Sequence, residues 1–73
     1  MSTVALIDNF VANLEAAITR LGISQSELAR RSGVHYVTVH KVLRRKMEPT
    51  VELCEKLAEA AEMQPEKSFR KPA

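Results

Sequence analysis

The chain has 73 residues and a net charge of +2 from 11 basic and 9 acidic side chains, and 45% of it is hydrophobic. A chain of this length buries only about 60% of its unfolded surface, so a single domain spanning 1–73 is expected, with no room for a substrate pocket of ordinary volume. One cysteine, Cys54, excludes an internal disulfide and suits a reducing cytoplasm; no secretory leader or stretch of about 20 apolar residues is present, so a cytoplasmic protein without a membrane partner is expected.

The first predicted helix starts after Ser2 or Thr3, either of which suits an N-cap. Ile7, Phe10, Val11, Leu14, Ile18 and Leu21 follow at helical spacing, and Gly22 supplies the stop. Ser24 and Glu27 read as a capping box, which starts a second helix at about Gln25 with Leu28 and Ala29 turned inward. Ser32-Gly33 ends that helix early, because Gly33 tolerates the left-handed backbone of a tight turn. Val34 closes the turn against the core. The third helix runs from about His35 or Tyr36 to Arg45, with Val39 and Val42 inward and Leu43 at the margin. Its opposite face carries Val37, His40, Lys41 and Arg44, flanked by Tyr36 and Thr38. Pro49 forces a loop over 46–49. Thr50 then caps a fourth helix whose apolar stripe is Val51, Cys54, Leu57, Ala58 and Ala61, stopped by Pro65. The tail, 64–73, is expected to add a short fifth helical turn that tucks Phe69 onto the core.

Charge is distributed unevenly. Residues 25–47 hold Arg30, Arg31, Lys41, Arg44, Arg45 and Lys46 against Glu27 alone, whereas 48–62 hold five glutamates against Lys56. A basic patch on a chain of small net charge points to a polyanion approached from one side. Two short helices about a glycine turn, the second with a basic outer face, read as a helix-turn-helix over about 25–44.

The segments Ile23-Ser24-Gln25-Ser26-Glu27-Leu28-Ala29, Ser32-Gly33-Val34, Val39 with Val42, and Pro49-Thr50-Val51 resemble the Cro/C1-type (Xre-like) helix-turn-helix domains of phage repressors and bacterial regulators. The resemblance covers roughly residues 14–69. It implies an all-α, four- to five-helix, lambda-repressor-like fold that binds double-stranded DNA. It also implies that Gln25 bonds a phosphate and braces the third helix, and that Tyr36, Val37, His40 and Lys41 read base edges. Thr38, Arg44, Arg45 and Lys46 would join Gln25 in holding phosphates. The chemistry agrees: a lysine donates to guanine O6 and N7, and an exposed valine meets a thymine methyl. Tyr36 either lies along the backbone or reaches a base.

The sequence departs from the family pattern at a few positions. Arg45 stands where glycine is usual, so the third helix is expected to run longer. Glu62 replaces a small residue at the end of the fourth helix, and His35 stands where Ser or Thr usually caps the third.

No metal or other cofactor is expected. His35 and His40 are five residues apart, which is not the spacing of two ligands on one helical face, and Cys54 sits on an apolar stripe. No glycine-rich phosphate loop or paired-carboxylate site supports catalysis. The leading expectation is a sequence-specific transcriptional regulator, a repressor that binds a pseudo-palindromic operator as a homodimer through helix four or the region of Phe69. The alternative is an antitoxin or coactivator-like protein-interaction module of the same fold, working through the acidic fourth helix.

Overall fold

A computed structural model describes residues 3–72. Four helices occur in order: α1 (Thr3–Leu21), α2 (Gln25–Ser32), α3 (Tyr36–Leu43) and α4 (Val51–Ala60), followed by a 3-10 turn at Pro65–Lys67, with no strand among the described residues. The all-α expectation holds. Thr3 lies within α1 and does not precede it as a cap, while Ser2, the other candidate, lies outside the described residues.

The helix starts follow local chemistry. Ser24 Oγ accepts from the Glu27 amide at 3.1 Å and Thr50 Oγ1 from the Leu53 amide at 3.1 Å, each satisfying a donor left orphaned at a helix start. His35 does the same for α3 through its ring, whose Nδ1 accepts from the Val37 amide at 3.1 Å. Only half of the expected capping box forms. The Glu27 carboxylate turns to Arg30 and Arg31, because two guanidiniums one turn ahead offer charge-assisted partners that a lone amide does not.

The helix ends use left-handed residues throughout. Gly22 and Gly33 have φ 69 and 72, and two non-glycine residues, Arg45 and Glu62, both have φ 57. After α3 the Arg45 amide donates to Val42 O and the Lys46 amide to Lys41 O, at 3.1 and 2.8 Å. This is the paired Schellman closure. The third helix therefore stops at Leu43 and does not run to Arg45 as expected. Leu43 is buried and Met47 packs on the core, so the chain must reverse between them, and that packing overrides the helix preference of Arg44 and Arg45.

The core is aliphatic, with Phe10, Leu14, Leu28, Val39, Val42 and Leu57 all fully buried. α2 packs against α3 and α4, and α1 against α3 and α4. Cys54 is buried with them, and burial pushes its thiol up to about 11. Val51 is an exception: expected on the inner stripe of α4, it is 70% exposed, because as the first residue of its helix it extends past the packed turns.

Phe69 stacks on Phe10 with ring centroids 5.3 Å apart, as the tail was expected to allow. What pins the tail is less obvious from sequence. Asn9 Nδ2 donates to Phe69 O at 3.2 Å, and Asn13 Nδ2 donates to the carbonyls of Ser68 and Arg70, each at 2.8 Å. Four residues apart on α1, the two amides lie on one face and satisfy backbone acceptors that no regular element pairs.

Candidate nucleic-acid interface

α3 is divided lengthwise by its periodicity. Val39, Val42 and Leu43 are buried, while Tyr36, Val37, Lys41 and Arg44 are exposed and Thr38 and His40 half-buried. Tyr36 at 47% and Val37 at 49% exposure are two large apolar side chains held in solvent beside cations. Burial of three side chains on an eight-residue helix fixes its rotation, so the outer face projects as a rigid ridge.

The angle of that ridge is set by its turn with α2. The Gly33 amide donates to Ala29 O at 3.0 Å. Ser32 Oγ donates to Ala29 O and accepts from the Val34 amide, both at 3.2 Å, so the three turn residues are tied to the end of α2. A second tie crosses the other end of the unit: His40 Nδ1 lies 3.3 Å from Gln25 Oε1. With the amide oxygen as acceptor the ring donates through Nδ1–H, leaving Nε2 as the nitrogen available to another partner. Tyr36 stacks on His40 with centroids 6.3 Å apart. Gln25, His40 and Tyr36 thus form one supported row.

This row borders an open cleft of about 680 Å3 between α1, the start of α2 and the end of α3, which also takes in Ser24, Ser26, Glu15 and Arg44. The first amides of α2 and its positive dipole end face this region, a setting that favours an oxyanion. A chain of this length does therefore hold a hollow of ordinary pocket volume, contrary to expectation, but it is an open surface feature.

Ion pairing reduces the basic patch that the sequence advertises. Arg30 and Arg31 both bond Glu27, and Arg31 also lies 3.8 Å from Glu62. These guanidiniums hold the Glu27 carboxyl below its ordinary range. Arg45 bonds Asp8 at 3.1 Å and lies 3.8 Å from Glu15, so it is turned toward α1. Lys41, Arg44 and Lys46 have no ion pair among the described residues. Within residues 25–47 the uncompensated positive charge therefore lies on α3 and the residues just after it. Sequence reasoning missed Asp8 and Glu15, whose spacing of seven puts them on one face of α1 but whose partner lies 37 residues from Asp8.

Among the described residues no helix is long and apolar enough to cross a membrane, and no group of three or more His, Cys, Asp or Glu is placed to hold a metal ion. In comparisons with known proteins, the family model described as Helix-turn-helix matches residues 14–67. No curated protein and no solved structure matches significantly.

Proposed function

The chain belongs to the Cro/C1-type helix-turn-helix family of DNA-binding transcription regulators, and from that premise we propose that it is a sequence-specific repressor. It acts in the cytoplasm as a single DNA-binding domain, pairs as a homodimer on a pseudo-palindromic operator, and blocks polymerase by occupying the site. The observation that carries this reading is the outer face of α3. It is a rigid ridge of Tyr36, Val37, His40 and Lys41 set among the uncompensated cations Lys41, Arg44 and Lys46.

Seated in the major groove, Lys41 donates to guanine O6 or N7 and Val37 packs on a thymine methyl. His40, oriented by Gln25, offers Nε2 to a base edge, and Tyr36 extends the same row. Arg44 and Lys46 hold the backbone phosphates that fix register, joined by Gln25 at the start of α2 and by Thr38 on the flank. Arg45 reaches a phosphate by exchanging the α1 carboxylates for it.

Selection from randomised duplex DNA tests the proposal. The expected outcome is an enriched two-fold symmetric site whose half-site centres lie about 34 Å apart or a multiple of that. Failure to enrich any sequence at low salt overturns sequence-specific reading, and a single asymmetric half-site overturns the homodimer.

A further inference from the structure

α3 has one histidine at its cap and another on its reading face, and the two rings are tied in opposite senses. His35 Nδ1 accepts from the Val37 amide at 3.1 Å. A backbone amide only donates, so the neutral His35 ring keeps its proton on Nε2. His40 Nδ1 instead faces an oxygen, Gln25 Oε1, at 3.3 Å. The His40 ring makes no other hydrogen bond among the described residues, and Tyr36 stacks along it with centroids 6.3 Å apart.

An amide can turn either end toward an imidazole, and the end it turns decides the tautomer. With Oε1 toward His40, the two N–H donors of Gln25 Nε2 are left over, and no acceptor among the described residues takes them. Gln25 borders the cleft with Ser24, Ser26 and Arg44, at the positive end of the α2 dipole. A duplex offers phosphate oxygens to such a place, and those oxygens only accept. A Gln25 that bonds a phosphate therefore donates through Nε2 and keeps Oε1 for the ring. The reverse orientation would set Oε1 against the phosphate. Binding DNA thus holds the proton of the neutral His40 ring on Nδ1 and leaves Nε2 with a lone pair.

We propose that His40 reads the duplex as an acceptor, taking a hydrogen bond at Nε2 from the exocyclic amine of adenine or cytosine. Those amines are the only donors that base pairs present in the major groove. The inference rests on the reading above, in which α3 enters that groove, and adds the class of base at one position. Lys41 and Arg44 only donate, so they reach guanine or phosphate and cannot accept from an amine. His40 gives the ridge its complementary acceptor. Gln25 acts as a positioning residue, coupling the tautomer of the reading ring to a phosphate contact. The preference at this position is adenine or cytosine over guanine or thymine on the contacted strand.

Deleting single amines from the selected duplex tests the proposal. Adenine is replaced by 2-aminopurine, which still pairs with thymine but carries its amine in the minor groove, and cytosine by pyrimidin-2-one. A second series of 7-deazapurines removes the N7 acceptors. Affinities are measured in mildly alkaline buffer, where imidazole is neutral, for the parent chain, His40→Ala and Gln25→Leu. Both variants should keep the parent's helical content, since Ala and Leu are strong helix formers. Deleting one amine in each half-site is expected to weaken the parent about three- to tenfold and His40→Ala not at all, while 7-deaza substitution at that base pair changes nothing. Gln25→Leu should bind more weakly overall and lose most of its dependence on that amine, because its ring is free to take either tautomer. Undiminished amine dependence in Gln25→Leu would overturn the coupling, and a loss on 7-deaza substitution in place of amine deletion would overturn the acceptor role. A selected site in which no amine deletion separates the parent from His40→Ala overturns this inference and leaves sequence-specific binding standing. Failure to select any site overturns the reading beneath it as well.

Discussion

Gly33, at φ 72, and Arg45, at φ 57, close the C-terminal ends of α2 and α3 in the same left-handed region with opposite chemistry. Glycine enters that region without a steric penalty, whereas an arginine there costs about 1–2 kcal/mol. The Gly33 turn carries no charge and is tied only to its own helix, through Ser32 and Ala29. The Arg45 turn instead places a guanidinium between Asp8 and Glu15 of α1 and leaves Arg44 and Lys46 on either side uncompensated. The first turn sets an angle at little cost, while the second accepts strain and positions charge.

Substitutions at these turns break or sharpen the comparison, beginning with the largest effect. Gly33→Ala is expected to lower stability by about 1–2 kcal/mol. A Cβ there meets nothing within 4 Å, so the whole loss is backbone strain; chemical denaturation of the variant measures it. At the other turn, Arg45→Gly should be more stable than Arg45→Ala by about 1 kcal/mol, since both lose the exposed ion pairs but only alanine keeps the strain. Equal stability of the two would show that Arg45 carries no backbone strain.

The charges flanking the turn should separate in DNA binding. Arg44→Ala is expected to reduce the salt dependence by about one phosphate contact, a change of about 0.9 in the slope of log K against log salt. Arg45→Ala should reduce it less, because Asp8 and Glu15 already compensate that charge. The smallest expected effect is at Glu27. Its carboxyl is held below the ordinary value when folded, so the Arg30–Glu27–Arg31 cluster stabilises above the unfolded carboxyl value and is lost as pH falls through the folded one. Glu27→Gln should therefore flatten the acid limb of a stability–pH curve slightly, as acid titration of the helical signal measures.

The contrast between the turns also separates what was legible in the sequence from what was not. Ser24, Leu28, Ala29, Gly33, Val39 and Val42 declare the helix-turn-helix through local signals: a cap, a period and a glycine. The outward face of α3 follows from the same period, so Tyr36, Val37 and Lys41 lie exposed where expected.

Features set by distant packing were not legible. Arg44-Arg45 reads as a helix extension, and only the need to bury Leu43 and return Met47 to the core turns it back. Arg45 reads as a free cation until α1 brings Asp8 beside it. Val51 continues an apolar period but sits beyond the turns that pack. Asn9 and Asn13 look like ordinary surface amides, and their partners lie 55 to 60 residues away.

The reading face of α3 is tested most directly by the affinities of the parent chain, Val37→Ala and Lys41→Ala for the selected duplex and for a scrambled duplex of equal length at one salt concentration. The expected result is a loss of about 1–3 kcal/mol on the selected site for each variant. On the scrambled duplex, Val37→Ala should bind as the parent does and Lys41→Ala should lose only the share due to its charge. Equal affinity of all three proteins for the selected site would contradict the assignment of this face, and with it the claim that α3 reads DNA.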